Sequence, residues 1–151
     1  MPQESLAFLL GDTSRLLRRR FDARARSLGV SRAQWQVLFA LSRNEGINQT
    51  GLADQLDVET ITLCRMVDRL ADAGLLERRP DPADRRAWRL HLTDAARPLL
   101  DSLKHVGDEV VAEGVAGINA AQLAAAVEAL ITMRVNLSAR PPEAARKTGV
   151  S

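Results

Sequence analysis

Apolar positions recur at helical spacing over most of the chain. Leu6, Leu9, Leu10, Leu16, Leu17 and Phe21 predict a first helix over 4–28. Gly29 suits its stop, with Val30 as the apolar residue that follows. Ser31 and Gln34 have the spacing of a capping box. They open a second helix through Leu41, with Trp35, Leu38 and Leu41 inward. Asn44-Glu45-Gly46 reads as a turn. A short helix over 49–56 follows, with Leu52, Ala53 and Leu56 inward. Asp57-Val58-Glu59 is a tight connection to a helix over 59–73, which Gly74 ends.

The period then changes. Leu76 to Arg79 is short and extended, and Pro80-Asp81-Pro82-Ala83-Asp84 cannot be helix interior. Trp88, Leu90 and Leu92 alternate with Arg89 and His91, the period of a half-buried strand. This predicts a β-hairpin with Asp84, Arg85 and Arg86 at its tip. Thr93-Asp94 caps a helix over 94–115, weakened and ended by Gly114 and Gly117. Asn119 and Gln122 open a last helix with Leu123, Val127, Leu130 and Ile131. From Arg140 onward no apolar period remains, as expected of a frayed tail. The fold class is mainly α with a small β-hairpin wing, the layout of a winged helix-turn-helix.

On a wheel of about 100° per residue, Leu63, Met66, Val67 and Leu70 gather on one side of the 59–73 helix. Ile61, Arg65, Asp68 and Asp72 lie opposite, with Thr60, Thr62, Cys64 and Arg69 on the flanks. The outer surface is small, polar or basic toward the N-terminus and acidic toward the C-terminus. Such a helix enters a major groove by its N-terminal end. There Thr and Arg can bond base edges or phosphates. On the helix pattern alone, an ordinary amphipathic helix with a solvated outer face is the better explanation. The hairpin tips the balance. Residues 78–89 hold five arginines and two aspartates, and a narrow arm with Arg at its tip suits a minor groove. Gln49 and Thr50, at the preceding helix, would hold phosphates.

Composition narrows the classes. The 151 residues carry 46% apolar and 26% charged positions and a formal charge of only +2. That excludes indiscriminate coating of nucleic acid. The lobe 31–93 has nine basic and nine acidic residues, so placement and not bulk charge is the signal. One cysteine and two histidines give no disulfide framework and no metal cluster. No nucleophile triad or Gly-rich phosphate loop appears, so neither an enzyme nor a cofactor is expected. No signal peptide or membrane span is visible, and a cytoplasmic protein is the expectation.

Several segments together carry a family resemblance. They are Leu28-Gly29 with Ala33-Gln34-Trp35-Gln36-Val37-Leu38, then Leu52-Ala53, then Thr62 to Leu70, then Gly74-Leu75-Leu76-Glu77-Arg78. The most specific is Asp81-Pro82-Ala83-Asp84-Arg85-Arg86, leading to Leu90-His91-Leu92-Thr93. In order and spacing the chain resembles the multiple-antibiotic-resistance regulator (MarR) family of transcription factors over about residues 6–136. The resemblance implies a homodimer on double-stranded operator DNA, usually a repressor, and in many members release by a small aromatic acid or other effector. Residues 1–30 and 94–138 would form the dimerisation region, 31–93 the DNA-binding lobe and 139–151 a flexible tail. It also implies that Asp84 and Glu59 support the wing, with Arg86 pairing to Glu59. Cys64 stands where the family usually has Thr or Ser, and Ala96 where a Gly often stands. Ile61 takes a usually small polar position, and would either touch a thymine methyl or alter the target sequence.

Other residues carry open alternatives. Cys64 is either a small side chain in the groove or a thiol-redox switch on the DNA-facing helix. Arg15, Arg19, Trp35 and His105 are candidates for an acidic effector's pocket, weighed against a solvated or structural role. The apolar stripes of the last two helices need a partner surface, which a second copy supplies. A winged-helix dimer serving as a protein-interaction module is the alternative to DNA binding.

Overall fold

A computed structural model describes residues 4–139; the tail from Arg140 lies outside them. The elements are α1 (Leu6–Ala25), α2 (Arg32–Arg43), α3 (Gln49–Gln55), α4 (Thr60–Asp72), β1 (Leu76–Pro80), β2 (Trp88–Leu92), α5 (Ala96–Gly114) and α6 (Ala120–Ser138). They divide into two compact units, Met1–Gly114 and Val115–Ser151.

Local chemistry sets the boundaries in the first unit. Ser5 caps α1 by accepting from the Phe8 N–H. The helix tightens into a 3-10 turn over Arg26–Leu28, and Gly29 takes a left-handed φ of 75°. The Val30 N–H then reaches back to the Ala25 carbonyl at 3.2 Å, so the last carbonyls of α1 are not left open. Ser31 and Gln34 form both bonds of the capping box. Asn48 caps α3 through its side-chain oxygen and the Gly51 N–H at 2.7 Å.

The α3–α4 turn uses the same left-handed stop with a different residue. Asp57 has φ 54°, and the Val58 N–H reaches the Ala53 carbonyl at 3.0 Å. An L-residue is strained there by about 1–2 kcal/mol, partly offset against glycine's greater chain entropy. Asp57→Gly is therefore expected to raise stability by about 0.5–1 kcal/mol, read as a higher urea midpoint at unchanged m. A lower midpoint would show that the Asp57 side chain itself holds the turn.

The hairpin pairs Leu76 with Leu92, Arg78 with Leu90 and Pro80 with Trp88. Residues in register share a face. Leu76, Leu90 and Leu92 are buried, while Trp88 at the far end stays 44% exposed. The expected half-buried strand is thus covered only at its base. A short stretch before α3 adds to the other edge of β2. Leu90 N–H donates to the Ile47 carbonyl at 2.9 Å, and Gly46 N–H to the Leu90 carbonyl at 2.8 Å.

Thr93 departs from its expected capping role. Its hydroxyl donates to the Gly74 carbonyl at 2.6 Å, and its N–H to the Leu75 carbonyl at 3.1 Å. The strand end is thereby tied to the end of α4, and α5 begins at Ala96.

One core joins these elements. Phe21 and Ala25 of α1 meet Val37, Leu38 and Leu41 of α2, Leu63, Val67 and Leu70 of α4, and Leu90 and Leu103. Ion pairs of Arg20 with Glu113 and of Arg24 with Glu109 and Glu113 flank the α1–α5 contact. Leu6, Leu9 and Leu16 stay exposed, because no part of the first unit covers the start of α1.

In the second unit, Asn119 and Gln122 make both bonds of a capping box at the start of α6. No α6 residue is buried, and Val127, Leu130 and Ile131 are each about half exposed. Among the described residues no helix is long and apolar enough to cross a membrane.

Candidate nucleic-acid interface

The inner side of α4 is fixed by Leu63, Val67 and Leu70, all fully buried. The opposite side therefore faces outward: Ile61, Arg65 and Arg69 are exposed, with Thr60 and Thr62 beside them. Cys64 is half-buried. Glu59 occupies the N-cap position but makes no side-chain capping bond. The first-turn N–H groups of α4 thus lack a side-chain cap at the end where an anion is favoured.

Asp68 and Asp72 also lie on the outer side of α4. Asp68 accepts from Arg78 Nη2 at 2.5 Å, and the same guanidinium donates through Nε to Gln49 Oε1 at 3.2 Å. Arg78 thereby links β1 to both helices of the helix-turn-helix and offsets the acid on the outer face. Gln49 is half-buried with its carbonyl engaged, and Thr50 is exposed. Nothing in the residue spacing marked Arg78 as this bridge.

The wing loop is built by aspartates. Asp81 Oδ1 accepts from the Ala83 N–H at 2.8 Å and Oδ2 from Arg89 Nε at 3.1 Å. The Ala83 bond, with the bond and charge of Arg89, outweighs the opposing desolvation and holds the Asp81 carboxyl below its ordinary range. Asp84 Oδ1 accepts from the Arg86 backbone N–H at 2.9 Å. That turn holds residue 86 by its backbone and leaves the side chain exposed. The pairing of Arg86 with Glu59 implied by the resemblance is not formed: among the described residues no ion pair joins them.

The arginines of α4 and the hairpin sort into two groups. Arg78 pairs with Asp68, Arg79 with Glu77 and Arg89 with Asp81. Among the described residues, Arg65, Arg69, Arg85 and Arg86 form no ion pair and all are exposed. Within these two elements the unneutralised cations sit on the outward side of α4 and at the wing tip. That leaves them available to phosphate oxygens or base edges.

The four effector candidates are not gathered at one place. Arg15 pairs with Asp12 at 2.7 Å, and His105 Nε2 lies 3.0 Å from Glu109 Oε1. Arg19 lines a cavity of about 670 Å³ with Asp22, Arg26 and Arg32. Trp35 stacks edge-on against Phe21, with ring centroids 4.7 Å apart, and donates its indole N–H to Asp22 Oδ1 at 2.7 Å. A different cavity, about 490 Å³ between α2 and α5, is lined by Phe39, Arg43, Arg97, Asp101 and Lys104. Its cations are spread over two helices far apart in sequence, so only their spacing within each helix was visible.

Burial raises the Asp22 carboxyl, but bonds from Arg32 and Trp35 and the charges of Arg32 and Arg26 outweigh it. Its pKa in the folded chain is lowered. A depressed carboxylate stabilises the fold above its unfolded pKa, and loses that effect as pH falls through the folded one. The wild-type chain should therefore lose stability as pH drops below the ordinary Asp range. Asp22→Asn should lose less over the same window, as followed by circular dichroism. Parallel curves would show that Asp22 is not so coupled.

A short helix pair followed by a β-hairpin, with exposed cations on the second helix and at the hairpin tip, defines a winged helix-turn-helix protein. The MarR family model matches residues 28–87. The transcriptional regulator PA3341 is 34% identical, with 90% of this chain and 100% of that chain covered and a TM-score of 0.78. The chain belongs to the MarR family, a family of transcriptional regulators. A MarR transcriptional regulator from Methanosarcina mazei Go1 is 26% identical, covering 85% and 95% of the two chains at a TM-score of 0.75. A cysteine-to-serine mutant of MarR from E. coli, complexed with operator DNA, is 26% identical, covering 86% and 93% at 0.71.

Proposed function

We propose that this chain is a homodimeric transcriptional repressor that binds a palindromic operator and leaves it when a small aromatic or acidic effector binds. The observation that carries DNA binding is the sorting of arginines. Among the arginines of α4 and the hairpin, those left without a carboxylate lie on the outward side of α4 and at the wing tip. In this reading Thr60, Ile61, Thr62, Cys64, Arg65 and Arg69 meet the major groove. Gln49 and Thr50 hold phosphates, and Arg85 and Arg86 enter the minor groove. Asp84 supports the wing through its turn, and Glu59 sits at the head of α4. That a relative 26% identical was crystallised with operator DNA supports operator binding as such.

Dimerisation is supported by the exposed apolar residues of α1 and α6, among them Leu6, Phe8, Val127 and Val135. Such surfaces mark partner contacts in soluble proteins. Residues 1–30 and 94–138 would form the dimer region, and 31–93 the lobe. A two-fold dimer then reads half-sites about one DNA turn apart. An acidic effector would find cations at Arg19, Arg26 and Arg32, or at Arg43, Arg97 and Lys104. Arg15, Trp35 and His105 would act only in a rearranged or dimeric pocket.

The test is fluorescence anisotropy on a duplex from the protein's own promoter. Affinity should fall steeply with salt, with a log–log slope of about −0.9 per phosphate neutralised. Salicylate, as an aromatic-acid probe, should weaken it. Salt-independent or absent DNA binding would favour a protein-interaction module.

A further inference from the structure

Ile61 is 66% exposed, more than any other large apolar side chain between residues 31 and 93. It lies in the first turn of α4, on the side opposite the buried Leu63, Val67 and Leu70. One turn further along that side stands Arg65, with Arg69 two turns on at the flank, and Thr60 and Thr62 flank Ile61. A β-branched residue gains nothing for an exposed helix position. A single apolar side chain among polar and cationic neighbours is also too small to be a protein-docking patch. Its surroundings favour polyanion, since Arg65 and Arg69 are unpaired among the described residues and Asp68 is held by Arg78.

Base edges in a major groove present one apolar group, the thymine 5-methyl. We infer that Ile61 reads a thymine 5-methyl group in each half of the operator, and that this contact is a determinant of operator sequence. The inference rests on the operator-binding reading above. The neighbouring hydroxyls and guanidinium groups address oxygen and nitrogen atoms, which thymine and uracil share. Ile61 is the one wholly apolar side chain on that turn, beside the small methyls of Thr60 and Thr62.

The test uses a duplex selected by the full chain from a random-sequence pool, with each thymine in turn replaced by deoxyuridine. This deletes the methyl and leaves the hydrogen-bonding edge intact. At one thymine per half-site, replacement should weaken wild-type binding about fourfold, and about fifteenfold when both halves are changed. Ile61→Ala should bind thymine and uracil duplexes alike, and Ile61→Val should retain part of the preference. The protein–DNA double cycle removes any effect of uracil on the duplex itself. If wild type binds every uracil duplex as tightly as the parent, or Ile61→Ala keeps the preference, the inference fails and operator binding stands. If the pool yields no bound duplex at any salt, operator binding fails and the inference with it.

Discussion

Arg65→Ala and Arg86→Ala are each expected to reduce operator affinity by about 100-fold or more while leaving the dimer intact. One well-placed arginine contact is worth about 1–3 kcal/mol, and a dimer presents each residue twice. Neither side chain forms an ion pair in the lobe, and both are exposed. Their removal should therefore leave folding within about 0.5 kcal/mol of wild type. The two losses should differ in kind. Arg65 lies on the outer face of α4, so its loss should fall mainly on the preferred sequence. Arg86, at the wing tip, should weaken all sequences together and reduce the salt slope by about one unit per half-site. Arg79→Ala is the internal control, because Arg79 already pairs with Glu77 at 2.5 Å, and its effect should be several-fold smaller. Anisotropy titrations across salt, with sedimentation for the dimer, measure all three. Wild-type affinity in both the Arg65 and Arg86 variants would defeat the assignment of α4 and the wing to DNA.

The largest stability loss is expected from Leu38→Ala. Leu38 is fully buried in α2, which packs against α1, α3, α4, β2 and α5. A cavity there has neighbours on all sides that are themselves pinned, so it relaxes little. The loss should be about 2–5 kcal/mol, lowering Tm by roughly 10 °C for a domain of this size. Ile61→Ala should change stability by less than about 0.5 kcal/mol, as an exposed position does. Urea and thermal melts at fixed protein concentration make the comparison. A loss below about 1 kcal/mol for Leu38→Ala would show that α2 is not the hub of the core.

Much of this architecture was legible along the chain because helix ends are local events. Ser31 with Gln34 and Asn119 with Gln122 form the capping boxes that their spacing suggests. Gly29 and Gly74 take the left-handed stops. The face of α4 followed from its period, since Leu63, Val67 and Leu70 had to turn inward. What escaped was decided by tertiary geometry. Thr93 has the residue type of a cap, yet a carbonyl 19 positions away takes its hydroxyl. Asp57 adopts a backbone conformation for which glycine is the usual signal. The five wing arginines looked alike in sequence. Only the folded chain brings Arg78 to Asp68, 10 positions away, and to Gln49, 29 positions away. The candidate effector residues suffered most, because a pocket needs walls from several elements and helical spacing describes only one.

The placement of the two tryptophans has an optical consequence. The chain has no tyrosine, so its near-ultraviolet emission comes from Trp35 and Trp88. Trp35 is half-buried against Phe21 and Phe39, with a carboxylate on its indole nitrogen. Trp88 stands 44% exposed on the hairpin. The first should emit toward the blue and report the integrity of the helical lobe. The second should emit toward the red and respond to whatever approaches the wing. Acrylamide should quench the wing indole first, so occupancy of the wing and unfolding of the lobe can be followed in one cuvette without a label.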